Sequence, residues 1–143
     1  MTASDPKWVV EDKHRLLAAV AQKLAGNAHV SLEGDLSVFN LAILPGASDS
    51  ETDALKRNTI WPKQDFLVFP LELHTFEEIF RRLSYRVPGR IIHIQIERGG
   101  ILEFGAYDRF HRDCIFWGPT LTDAFIQSLA AQGILSPSKH RTK

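Results

Sequence analysis

The 143-residue chain has almost no cysteine: Cys114 stands alone, which excludes an internal disulfide and any multi-cysteine zinc or iron–sulfur centre. It has no excess of charge either. Seventeen basic residues balance seventeen acidic ones, so no strong positive field is present to hold a nucleic acid. Long apolar runs are missing as well: the longest, Leu16 to Ala21, has six residues, far below the ~20 that span a bilayer. The N-terminal Met-Thr-Ala-Ser-Asp-Pro-Lys carries no basic region leading into an apolar stretch, so no secretory signal is read and a cytoplasmic setting is expected. Catalytic signatures are absent too. Gly-x-x-x-x-Gly-Lys, Gly-x-Gly-x-x-Gly, Gly-x-Ser-x-Gly and His-Glu-x-x-His do not occur. No residue pattern calls for a cofactor or a resident metal.

What is present is an ordinary globular composition, 44% hydrophobic and 24% charged. A helix is expected from Asp5–Pro6 to Leu24, with Asp5 as cap, Val10, Leu17, Val20 and Leu24 near one face, and Gly26-Asn27 as the stop. Val30, Leu32 and Leu36 alternate with Ser31, Glu33 and Asp35, the period of a strand with one wet face. A second, more central strand is expected over Val38–Leu44. The polar stretch Pro45 to Gln64 is too long for a structureless loop, so a short helix is expected at Glu51–Asn58. Phe66–Phe69 reads as a strand that either ends at Pro70 or sits at a sheet edge, because Pro70 removes a ladder donor. Thr75 and Glu78 suggest a capping box for a helix whose buried face is Phe76, Ile79, Phe80 and Leu83.

Arg90 to Tyr107 is the clearest hairpin. Ile92, Ile94 and Ile96 alternate on one side of Arg98-Gly99-Gly100, and Leu102, Phe104 and Ala106 on the other. A three-residue loop matches the apolar faces, pairing Ile96 with Leu102, Ile94 with Phe104 and His93 with Gly105. Cys114–Trp117 is a last strand, and a final helix capped by Thr120 runs to the Gly133 stop. The expected fold is a single α+β domain over residues 1–135. It is a two-layer sandwich with a mainly antiparallel sheet under about three helices, followed by a basic, disordered tail at 136–143.

Three clusters carry chemistry-bearing residues. The polar face of the hairpin holds His93, Gln95, Glu97, Glu103 and Tyr107, and Gly105 beside His93 would leave a notch for a ligand group. Asp108, His111, Asp113 and Cys114 match no zinc spacing and fit a turn. Arg81, Arg82, Arg86 and Arg90 cluster at a helix end, where cations complement the dipole. Among Trp8, Trp61 and Trp117, Trp61 stands out because it lies in the polar loop. The expectation is a small soluble module that binds or inhibits another protein through the hairpin's polar face and the 45–64 loop. Size and class give it a loose analogy to immunity and antitoxin proteins. No catalytic residue, membrane or nucleic-acid partner is expected. The alternative is a small-molecule binder or enzyme using His93, Glu103 and Tyr107.

Overall fold

Residues 7–138 are described by the computed structural model, and they form an α+β fold with three helices and seven antiparallel strands in two sheets. In chain order these are β1 (Trp8–Val10), α1 (Lys13–Leu24), β2 (Ala28–Gly34), β3 (Asp65–Pro70), α2 (Leu73–Arg82), β4 (Ile91–Arg98), β5 (Ile101–Ala106), β6 (Ile115–Trp117), α3 (Asp123–Ala131) and β7 (Leu135–Pro137). The main sheet has the order β3-β2-β4-β5-β6, while β1 and β7 pair separately.

One apolar cluster lies between the helices and the main sheet. α1 contributes Leu16, Leu17 and Val20, α2 contributes Phe76, Ile79 and Phe80, and α3 contributes Ile126 and Leu129. These meet Val30 and Leu32 of β2, Ile94 and Ile96 of β4, and Phe104 and Ala106 of β5. The helical spacing of the first set and the two-residue spacing of the second are what bring both onto one surface.

Several expectations are corrected. α1 begins at Lys13, not near Asp5, because Trp8–Val10 finds a partner strand in Leu135–Pro137. The cap is Asp12, whose carboxylate accepts the Arg15 N–H at 3.0 Å; Asp5 and Pro6 lie outside the described residues. Val38–Leu44 is not a strand. Two tight 3₁₀ turns, Ser37–Phe39 and Leu41–Ile43, meet at left-handed Asn40 (φ 59°). The apolar residues there do not alternate: Leu36, Leu41 and Leu44 are buried, while Val38 and Ile43 face solvent. Glu51–Asn58 forms no helix either, because its polar groups bond within the loop and to the sheet beneath it.

α2 starts two residues before Thr75, and Glu72 precedes it without a side-chain cap. α3 is capped by Thr122 rather than Thr120, since Thr120 is taken by Glu103. The boundary expected at 135/136 falls inside β7, where Ser136 and Pro137 pair with Val9 and Trp8. The rest of the expected tail, 139–143, lies outside the described residues.

The hairpin joins β4 and β5 around Gly99-Gly100, and its register differs from expectation by two residues. Ile94 opposes Ala106, Ile96 opposes Phe104 and Arg98 opposes Ile101. A bulge between Ile96 and Glu97 leaves Glu103 as the extra residue, which lets a two-residue turn satisfy the same faces. A second irregularity where β4 meets the end of β2 puts Ile91, not Ile92, in the core.

Candidate functional site

The face of the main sheet turned away from the helices carries the polar residues of the alternating strands. Ser31 and Glu33 of β2 lie opposite Gln95 and His93 of β4, with Phe66 and Val68 of β3 on their other side. Alternation alone makes this a wet face. It is instead covered by the 49–64 loop. Ser31, Glu33, Gln95, Glu97 and Glu103 are all buried, and Leu55 from the loop packs on Phe66, Val68 and Leu102 as a small second core.

Buried carboxylates need hydrogen-bond donors, because an unpaired charge away from water costs several kcal/mol. Backbone N–H groups supply most of them here. Glu33, only 1% exposed, accepts from Asn58 N–H at 2.8 Å and from Thr59 N–H at 3.0 Å, one on each oxygen. Glu103 accepts from the N–H and hydroxyl of Thr120, at 2.9 and 2.6 Å, and so holds the Gly118–Thr120 turn. Glu97 accepts from Gly100 N–H at 2.8 Å and bonds His29 Nδ1 at 2.7 Å.

Gln95 is the hub between sheet and loop. Its amide nitrogen donates to Ser31 Oγ at 3.1 Å and to the Lys56 carbonyl at 2.8 Å, while its oxygen accepts from the Tyr107 hydroxyl at 3.1 Å. The Tyr107 ring lies across Gly105, where an added Cβ would sit 2.5–2.7 Å from ring atoms. The space left by Gly105 is therefore filled by Tyr107 and is not a notch beside His93. The residue opposite Gly105 is Gln95. Burial raises the Tyr107 pKa above its usual value and keeps the phenol a donor.

His93 joins the loop to the turn after β5. Its Nδ1 accepts from Asp108 N–H at 3.1 Å, so the ring proton resides on Nε2 and is donated to Thr59 Oγ1 at 2.9 Å. Asp108, Arg109 and Phe110 all have left-handed backbone (φ 51°, 56° and 64°), a run that costs roughly 1–2 kcal/mol per residue. His93 thus braces a strained turn. Burial lowers its pKa below the ordinary value, against the opposing pull of Glu33 and Asp108 and with a small push from Arg109.

The structure brings His93, Gln95 and Tyr107 into one bonded layer. It does not bring Glu97 or Glu103 to His93, since each is bonded elsewhere. Trp61 stands apart from all five: it is 84% exposed, beside Ile60 at 94%. Glu33, Asn58 and Thr59 belong to the same bonded layer and carry no sequence signal beyond the polar half of an alternation. Among the described residues no group of three or more His, Cys, Asp or Glu is placed to hold a metal, and no helix is long and apolar enough to cross a membrane. The expected turn at Asp108–Cys114 forms, with His111 Nδ1 accepting from Asp113 N–H. Of the arginine cluster, Arg81 pairs with Glu78, Arg90 with Asp35, and Arg82 donates to the Asn40 carbonyl. Trp8 and Trp117 pack against the main core.

Comparison with models of known families, with curated proteins and with solved structures found no match. Among the described residues, two of the open clefts have volumes of about 490 and 300 Å³. The first lies at the outer side of β3 and the second beside the start of α2, and His93 lines neither.

Proposed function

We propose that this chain is a protein-binding module that engages its partner through the tip of the 45–64 loop. The observation that carries this reading is the pair Ile60 and Trp61, two large apolar side chains almost fully in water. Their loop is held to the sheet by Glu33 only one and two residues earlier. A tryptophan presented on a tethered segment loses little conformational freedom on binding, and tryptophan is enriched among residues that dominate interfaces. Lys56 and Lys63 flank the tip, which suits a partner with an apolar pocket and an acidic rim.

His93 and Gln95 of the hairpin serve this reading as part of the tether, through Thr59 and the Lys56 carbonyl, rather than as the contact surface. His93, Glu103 and Tyr107 are each committed to partners within the fold, which lends no support to an acid–base role for them. The single, partly buried thiol of Cys114 suits a reducing compartment, and the cytoplasm is the proposed setting.

The test is affinity capture from the source cell with the wild-type chain and with Trp61→Ala and Ile60→Ala, followed by titration of the purified partner. Each substitution is expected to weaken association by about 2 kcal/mol and to leave the unfolding temperature nearly unchanged. An unaltered Kd in both variants would overturn the tip as the contact. A large loss of stability would show that Trp61 belongs to the core.

A further inference from the structure

The outer edge of β3 is a second surface that the fold uses only in part. β3 ends the main sheet, so one side of its backbone has no strand of that sheet beside it. In an antiparallel ladder the N–H and C=O of one residue face the same side, and alternate residues face opposite sides. Val68 exchanges both of its outward bonds with Ser48, at 2.9 and 2.7 Å. Phe66 is two residues away and so turns its N–H and C=O outward too, where no described residue bonds them. Beyond Ser48 the chain departs, with Ser50 N–H bonding back to Ser48 Oγ.

The space beside Phe66 is the cleft of about 490 Å³. Ala42 and the half-buried Leu67 give it an apolar part, and Asp49, Arg57, Lys63 and Asp65 give it charges of both signs. Two of these are already engaged: Asp65 accepts from Leu36 N–H, and Arg57 donates to the Gln64 carbonyl while lying over the Phe66 ring. Asp49 and Lys63 form no ion pair with any described residue. Equal numbers of cations and anions do not suit a polyanion. An outward donor and acceptor on one residue match a ligand that repeats a donor and an acceptor along its length, which is a polypeptide backbone.

We infer that this cleft takes an extended segment of a partner protein, added as a strand along β3 and bonded through its backbone to Phe66. An apolar side chain of the segment packs beside Ala42 and Leu67, and an acidic one meets Lys63. This rests on the protein-binding reading and gives it a second contact, continuous with the loop because Arg57, Lys63 and Gln64 line the cleft.

The probe is a set of random linear dodecapeptides displayed on phage, panned on the full chain and resynthesised. Selected peptides are expected to shift the amide signals of Phe66, Asn40 and Gln64 and to slow exchange of the Phe66 amide. Ala42→Trp, which fills the cleft from an exposed position, should weaken them about tenfold or more, as should N-methylation of the peptide residue bonded to Phe66. Trp61→Ala should leave their Kd unchanged. Failure to select any peptide overturns the inference, as do signals confined to Ile60–Trp61 or to the other sheet edge at Ile115–Trp117. Indifference to N-methylation does the same. An empty cleft together with loss of the natural partner in Trp61→Ala would remove this inference and leave the tip standing; a filled cleft with partner binding intact in Trp61→Ala would do the reverse.

Discussion

Replacing Glu33 by glutamine preserves shape and removes charge, and it tests whether the covering loop is held by its two N–H bonds to that carboxylate. In the wild type both oxygens accept, from Asn58 at 2.8 Å and Thr59 at 3.0 Å. Hydrogen bonds to a charged group contribute about 1.5–3 kcal/mol each. In Glu33→Gln one oxygen still accepts as a neutral group, worth ~1 kcal/mol, while the new NH₂ faces a second donor and leaves it unsatisfied. The net loss is about 2–5 kcal/mol, a large part of the 5–15 kcal/mol that holds a domain together. If the loop opens without the rest of the fold, amide exchange at Asn58 and Thr59 should accelerate roughly 30- to several-thousand-fold while exchange in β4 stays slow. Glu103→Gln is the control, since it disturbs Thr120 and not the loop. The two effects should be additive if the two sites are independent. Unchanged exchange at both amides, with an unchanged unfolding midpoint, would refute the assignment of Glu33 as the tether.

Acidification should loosen the same loop through His93. Its folded pKa lies below the unfolded value of about 6.5, so the unfolded state binds the extra proton first. Stability is then full above pH ~6.5 and is lost as pH falls from there towards the folded pKa, levelling off below it. His93→Gln should flatten that part of the pH–stability curve, and an identical curve in the variant would assign the dependence to another group. Gly105→Ala should push the Tyr107 ring off the sheet and break its bond to Gln95. Tyr107 fluorescence and exchange at Lys56 would report it, and a variant with wild-type spectra and stability would show that the ring accommodates a methyl group.

Periodicity located the helical faces of α2 and most of α1 and the apolar side of β4, because each depends on neighbours a few residues away. It could not set the hairpin register. Parity decides which face a residue occupies but does not distinguish registers that differ by two, and the bulge that admits Glu103 is invisible to alternation. The apolar content of Val38–Leu44 was legible as apolar but not as a pair of turns, since left-handed Asn40 breaks the period halfway. His93, Gln95, Glu97, Glu103 and Tyr107 were legible as the polar half of an alternation, and Trp61 as a residue of the loop. Their burial was not legible, because the groups that satisfy Glu33 lie 25 and 26 residues further along in a segment with no periodicity of its own.

The pairing of β1 with β7 sets an order of events during synthesis. Val10 opposes Leu135, so β1 leaves the ribosome about 125 residues before its partner exists. At ~5–20 residues per second that is roughly 6–25 seconds, during which Trp8 and Val10 have no strand to cover them. The main sheet can form in that interval, since β6 is complete before α3 begins. The nascent chain should therefore pass through a state with its central sheet assembled and its first strand bare, which chaperones that recognise short apolar segments would be able to bind until Leu135 emerges.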